Sequence, residues 1–179
     1  LSASPCEETN AASIEPARIL ITYQLPLVNS DYAPSEGRRL ADLGARSIQI
    51  PNFPSELGMP DYHDRRYDRL WDAFTETGVV VANHLTLKQG LWDVVRRDPT
   101  PQKGIFTALP AFALCETMAW YILTGVCERF PRLKIVFVEP ALFWVPGFLR
   151  LLDDRMHQHY EFPGVNELPS TYFKRQMAA

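Results

Sequence analysis

The feature that most constrains the fold is a repeated alternation of short apolar runs with helix-like segments. Apolar runs rich in β-branched and aromatic residues predict strands, and apolar residues at helical spacing predict helices. This alternation predicts a parallel α/β sheet with crossover helices, and both an open doubly wound sheet and a (β/α)8 barrel fit it. Residues 86–109 are predicted to be irregular or partly helical. The predicted strands are 18–27, 45–51, 79–84 and 133–139, and the predicted helices are 34–43, 66–77, 110–128 and 145–159.

Composition and charge exclude several classes of function. The chain has 179 residues and a net charge of -3, and no basic run stands out, so we expect no nucleic-acid partner. No apolar run reaches the ~18 residues of a membrane span, so we expect no membrane contact. Cys6, Cys115 and Cys127 lack the spacing of a zinc site, which is typical of thiols in a reducing, cytoplasmic protein. Residues 1–15 are predicted to be an irregular N-terminal segment.

Polar side chains stand at the ends of the apolar strands, where parallel α/β folds gather their chemistry. His84 ends the run VVVANH, and Glu139 ends the run LKIVFVE. An imidazole suits a metal ligand or a general base, and the alternative is a core histidine bonded to a backbone carbonyl. A carboxylate after an apolar strand is costly unless it is paired or coordinated. The structural alternative to an acid/base role for Glu139 is therefore a salt bridge to a nearby arginine, such as Arg150.

Three further residues are candidates for contacts with a small-molecule substrate. Asn52 and Asn83 lie at predicted strand ends, where an amide could hydrogen-bond a substrate or cap a loop. Trp144 could line the mouth of the pocket or belong to the core. The residues by themselves leave these interpretations open.

Three segments resemble a known family of enzymes. The first is GARSIQIPNFPSELGMPDYHDRRYDRLWDAFTETGVVVANH, the second is TGVCERFPRLKIVFVEPALFWVPGFLRLLDDR, and the third is LPSTYFKRQM. In this order and spacing they are similar to the amidohydrolase-related metal-dependent barrels. Those barrels include aminocarboxymuconate-semialdehyde decarboxylase and resorcylate-type decarboxylases. The resemblance runs from about residue 16 to the end of the chain.

The resemblance implies a (β/α)8 barrel with a divalent metal at its mouth, zinc or alternatively manganese. His84 matches a metal-binding histidine of the family. Glu139 matches a position that is an acid/base histidine in the decarboxylases and glutamate in many other members. The implied activity is a metal-dependent hydrolase or decarboxylase, acting on a small substrate that contains a carboxylate or carbonyl group.

The match also implies an incomplete site. We expect residues 1–179 to form a single incomplete barrel domain of about four consecutive βα units, because the family's other ligands have no counterpart here. Unpaired edge strands would then require a homo-oligomer or the missing barrel segments, and a monodisperse, cooperatively melting monomer would contradict this expectation. The alternatives are a non-catalytic truncated remnant that lacks the full metal site, and an unrelated α/β binding protein in which His84 is buried against the backbone.

Overall fold

The computed structural model describes residues 21–27, 31–158 and 162–179. It is built on a five-stranded sheet whose strands lie in sequence order, and every neighbouring pair is parallel. Helices occupy each connection between successive strands, as parallel pairing requires. The strands are β1 Thr22–Gln24, β2 Ser47–Gln49, β3 Val80–His84, β4 Ile135–Val138 and β5 Met177–Ala178.

The helices are of two kinds, and the 3-10 helices lie in the loops that follow the strands or join the longer helices. The α-helices are α1 Ala33–Asp42, α2 Asp68–Thr77, α3 Gln89–Arg97, α4 Gly104–Ala108, α5 Ala113–Leu123, α6 Val126–Arg129, α7 Val145–His157 and α8 Pro169–Gln176. The 3-10 helices cover Pro54–Leu57, Arg65–Tyr67, Pro101–Lys103, Leu109–Phe112 and Leu142–Trp144.

The predicted order of strands and helices is confirmed, with three corrections. The predicted helix 110–128 is broken, because Gly125 adopts a left-handed conformation (φ +75) between α5 and α6. The segment 86–109 holds two α-helices, α3 and α4. The C-terminal residues add a fifth strand, β5, which pairs with β4 and is too short to give an alternating pattern. The predicted strand residues 18–20 and helix residue 159 lie outside the described residues.

The core lies between the sheet and the helices that cover it. Ile48, Val81 and Ile135, from three adjacent strands, are 0%, 0% and 1% exposed. Beside them, five rings from the loop before α2, from α2 itself and from α5 form an aromatic cluster with centroid separations of 5.2 to 6.2 Å. We call Tyr62, Tyr67, Trp71, Phe74 and Tyr121 the aromatic cluster.

One helical stretch of the described residues, 101–123, is long and apolar enough to cross a membrane by length and composition. A single such stretch is weak support for a membrane span, because core helices of soluble proteins pass the same test. The stretch is also not one straight helix, since the backbone at Gln102 and Lys103 is left-handed (φ 60 and 56). The absence of membrane contact stays a prediction.

The C-terminal helix α8 is attached to α6 through one carboxylate and one phenol. Glu128 accepts hydrogen bonds from the Tyr172 hydroxyl and, at 2.8 Å, from the Asn166 amide. The same hydroxyl accepts the backbone N–H groups of Asn166 and Glu167, each at 3.0 Å. The hydrogen bond from Tyr172, followed by that from Asn166, holds the pKa of Glu128 below its usual value. This network keeps β5 in place at the edge of the sheet.

We expect Glu128 to make the fold sensitive to acid. Its pKa is lower in the folded chain than in the unfolded chain, where it is near 4.5. The resulting stability is therefore fully present above the unfolded-state value, and it is lost as the pH falls through the lower folded-state value. Melting temperatures measured from about pH 7 down to about pH 3 should fall less steeply for Glu128→Gln than for the wild type. Glu76→Gln, in an exposed pair with Arg38, should keep the wild-type slope, and equal slopes in all three proteins would contradict the prediction.

Candidate functional site

His84 and Glu139 meet at the C-terminal edge of the sheet. The register between β3 and β4 places His84 opposite Val138, so Glu139 follows immediately beside it. The His84 Nε2 atom lies 3.6 Å from the Glu139 Oε2 atom, and the two side chains are 41% and 67% exposed. Parallel strands present their carboxyl ends at one edge, and here that edge carries an imidazole and a carboxylate that solvent can reach.

The contacts of the His84 ring indicate its tautomer. Nδ1 lies 3.1 Å from the backbone carbonyl oxygen of Leu85, which can only accept a hydrogen bond. A proton on Nδ1 satisfies this contact and leaves the lone pair on Nε2, the atom that faces Glu139. A lone pair and a carboxylate then face each other, an arrangement that a proton or a cation placed between them stabilises.

Glu139 occupies a strained turn. Its backbone φ is +58 and that of Ala141 is +49, a left-handed conformation that costs a non-glycine residue about 1–2 kcal/mol. The Trp144 indole N–H donates a hydrogen bond to the Pro140 carbonyl oxygen and so stabilises this turn. Strain of this kind concentrates at functional sites, and here it sets the carboxylate beside His84.

The structural alternatives were a salt bridge from Glu139 to an arginine and a core position for His84, and the structure shows neither. Arg150 pairs with Asp154 at 3.0 Å, and among the described residues the His84 imidazole is the one basic side chain in contact with Glu139. His84 does contact a backbone carbonyl, but its ring is partly exposed and is not part of the core. Trp144 is 6% exposed and packs edge-on against Phe148, so its place at the mouth of a pocket stays a prediction.

Asn52 and Asn83 lie directly behind His84. Asn83, 0% exposed, donates its amide N–H to the Asn52 side-chain oxygen at 3.0 Å. Asn52, 3% exposed, donates in turn to the His84 backbone oxygen at 2.6 Å. Both amides are therefore buried beneath the strand end, and their predicted contact with a substrate stays a prediction.

An open apolar cleft of about 620 Å³ lies between the loop after β2 and the helices α3 and α5. Lys88 pairs with Glu116 at 2.6 Å on its wall and lies 4.9 Å from the centroid of the Phe53 ring. Burial raises the pKa of Cys115 to about 11, so this thiol stays protonated at neutral pH. The apolar lining comes from Phe53, Leu91, Val94, Leu109, Phe112 and Ala113.

This cleft has no counterpart among the features predicted from the sequence. Leu91 and Val94 belong to a segment that was expected to be irregular or partly helical, and their i, i+3 spacing is the signal that could have revealed the helix. That spacing does not indicate which helices face each other across the cleft.

The described residues do not complete a metal site. They contain no group of three or more His, Cys, Asp or Glu side chains that could hold an ion. His84 and Glu139 supply two donors, whereas a catalytic zinc takes about three protein ligands and a water. The exposed lone pair of His84 and the adjacent carboxylate are chemically suitable donors, but two donors among the described residues do not make a metal site.

Comparisons with known proteins agree with the fold. The profile of a family described as Amidohydrolase matches residues 10–177. Among curated proteins none matches the chain significantly. A 5-carboxyvanillate decarboxylase from Sphingomonas paucimobilis superposes with a TM-score of 0.72 at 22% identity, over 96% of this chain and 50% of that one.

Two further solved structures show the same architecture. An amidohydrolase from Mycobacterium avium subsp. paratuberculosis has a TM-score of 0.69 at 22% identity, over 86% of this chain and 40% of its own. A dihydroxybenzoic acid decarboxylase from Polaromonas sp. with bound manganese has a TM-score of 0.63 at 19% identity, over 94% and 52%. The chain thus spans about half the length of these proteins or less. The prediction of a partial (β/α)8 barrel is confirmed.

Proposed function

Because the chain belongs to the amidohydrolase family, we propose that it carries part of the active site of a metal-dependent hydrolase or decarboxylase. The substrate would be a small molecule with a carboxylate or carbonyl group. The observation that carries the proposal is the 3.6 Å approach of His84 Nε2 to Glu139 Oε2 at the open edge of a parallel sheet. Polar groups in this position serve catalysis in barrel enzymes.

A divalent ion, zinc or manganese, is the proposed cofactor, and it would polarise a carbonyl or a bound water. Among the described residues, His84 would be the ligand of this ion. The remaining donors would come from residues outside the described ranges, from further barrel segments or from a second copy of the chain. The sheet has two ends, β1 and β5, at which such segments can pair, and Leu142 and Phe143 expose apolar side chains, 56% and 68% accessible. A homo-oligomer and a cytoplasmic location are part of the proposal.

Glu139 would move the proton. In hydrolysis its carboxylate would take a proton from the attacking water, and in decarboxylation its acid form would deliver a proton to the carbon that loses carbon dioxide. An exposed carboxylate beside an imidazole can do either. The candidate substrate contacts remain Asn52, Asn83 and Trp144. Because these side chains are buried, a substrate would reach them only if the site opened.

The test combines metal content with turnover of the purified chain. We expect added Zn²⁺ or Mn²⁺ to remain bound after dialysis, measured by elemental mass spectrometry, and His84→Ala to lose it. With metal supplied, a panel of aromatic carboxylates and lactones should reveal turnover. Glu139→Gln should lower kcat by about 10²–10⁴-fold while retaining the metal.

Glu76→Gln, on an exposed carboxylate paired with Arg38, is the control for charge removal and should leave kcat unchanged. The alternative is a non-catalytic remnant of such an enzyme, which the incomplete ligand set of the described residues favours. Absence of both metal and turnover in the folded wild-type chain would support the remnant and reject the enzyme proposal for this chain.

A further inference from the structure

We propose that Asn52 and Asn83 form a positioning pair that fixes the orientation of His84 through its backbone carbonyl. The proposal rests on the proposed function only in that His84 is the side chain worth positioning. The geometric claim stands on the buried hydrogen bonds themselves.

The Asn52 side chain extends the hydrogen-bond ladder of the sheet by one bond beyond the last backbone bond. The Ile50 N–H donates to the Ala82 carbonyl at 3.2 Å, which is the last such bond between this strand end and β3. In a parallel ladder the next donor, two residues later, would be the backbone N–H of residue 52. Here the side-chain amide of Asn52 makes that bond to the His84 carbonyl, at 2.6 Å.

Asn83 determines which way the Asn52 amide points. Because the Asn83 N–H group donates to the Asn52 side-chain oxygen at 3.0 Å, the Asn52 nitrogen must face the opposite side, toward the His84 carbonyl. Both side chains are buried, at 0% and 3% exposure, so neither can rotate freely. The order of donors, Asn83 to Asn52 to His84, is fixed by this packing.

The peptide that follows His84 is held at both of its polar atoms. Its carbonyl accepts from Asn52 and, at 3.0 Å, from the exposed Thr86 hydroxyl. Its N–H, on Leu85, donates to the Val138 carbonyl at 3.1 Å. With this peptide fixed and Nδ1 placed at the Leu85 oxygen, Nε2 is directed at Glu139.

Asn52→Asp tests the proposal, because aspartate keeps the acceptor for Asn83 and replaces the donor to His84 with a carboxylate oxygen. Long-range ¹H–¹⁵N correlation spectra of the labelled chain, recorded at alkaline pH, report the tautomer of each neutral imidazole. We expect the wild type to show a single Nδ1–H pattern for His84, assigned with His84→Gln. Asn52→Asp should replace that pattern with an averaged one.

Asn166→Asp is the matched control, since it makes the same chemical change at an exposed asparagine bonded to Glu128. It should weaken the attachment of α8 without altering the His84 signals. A folded Asn52→Asp chain with an unchanged His84 pattern would overturn the proposal. Should that variant not fold, Asn83→Leu removes the donor that orients the Asn52 amide, and a folded Asn83→Leu chain with unchanged His84 signals would count equally against the proposal.

The spectra need neither substrate nor metal, so they separate this proposal from the proposed function. A positioned His84 in a chain without turnover would reject the enzyme and retain the positioning pair. Turnover by the wild-type chain, together with an unchanged His84 pattern in Asn52→Asp, would retain the enzyme proposal and reject the positioning pair.

Discussion

Replacing Gly125 by alanine is expected to lower the free energy of unfolding by about 2–5 kcal/mol, because two separate costs add. The φ of +75 places this residue in the left-handed region, which costs a residue with a Cβ about 1–2 kcal/mol. An ideal Cβ would also lie 2.6 Å from the backbone oxygen of Gly164. Because a backbone oxygen cannot rotate away as a side chain can, relieving the collision requires a shift of the chain, at a typical overpacking cost of about 1–3 kcal/mol.

Two other glycines separate these costs. Gly78→Ala keeps the left-handed strain (φ +71) without any atom within 4 Å of the new Cβ, so it should lose only the smaller amount. Gly147→Ala lies in α7 with open space around it and should leave stability equal or raise it by up to about 1 kcal/mol. Urea unfolding followed by circular dichroism measures all three. A Gly125→Ala loss no larger than that of Gly78→Ala would show that the close approach to Gly164 does not matter.

Trp71→Ala should cost about 3–5 kcal/mol, the range for removing a large aromatic side chain from a core. Trp71 is 0% exposed and contacts the other four rings of the aromatic cluster, Tyr62 at 5.4 Å and Tyr121 at 6.0 Å among them. The cluster joins the loop before α2 to α2 and α5, so the cavity would lie where three segments meet and cannot collapse easily. We expect this substitution to lower the melting temperature more than the truncation of any other apolar side chain in the described helices.

Matched substitutions identify what is lost. Trp92→Ala removes an indole that is 45% exposed and stacked only on Phe106 among the described rings, so it should cost under about 1 kcal/mol. Trp71→Phe should cost less than Trp71→Ala, because the indole N–H has no partner among the described residues and its loss breaks no hydrogen bond. Equal losses for the two Trp71 variants would show that the indole N–H, and not the packed ring, carries the stability.

The alternation of apolar runs and helical spacing was enough to predict a parallel sheet and the first four strands along the chain. Local propensity decides such features, because it depends on neighbours within one or two turns. The prediction from local propensity was wrong at Gly125, because one residue in a left-handed conformation divides an apolar segment that was predicted to be one continuous helix. It also missed β5, whose two residues form a strand only because β4 is beside them.

For the candidate site, the sequence indicated candidate residues but not their geometry. His84 and Glu139 were recognisable as polar residues that end apolar strands, and the family resemblance supported both. The sequence also offered Arg150 as a partner for Glu139, which the structure pairs with Asp154 instead. It placed Asn52 and Asn83 at strand ends, but it gave no indication that they bond to each other beneath His84.

By itself the sequence determined the class of fold and the family, and it indicated His84 and Glu139 as candidate site residues, since each of these is encoded in patterns of adjacent residues. Tertiary structure alone decided the β3–β4 register that brings the imidazole within 3.6 Å of the carboxylate. It also decided the left-handed turn at Glu139 and the buried amides that hold His84. These features arise from contacts between segments that are distant in sequence, and the free energy of packing them together, which no local pattern records, selects their geometry.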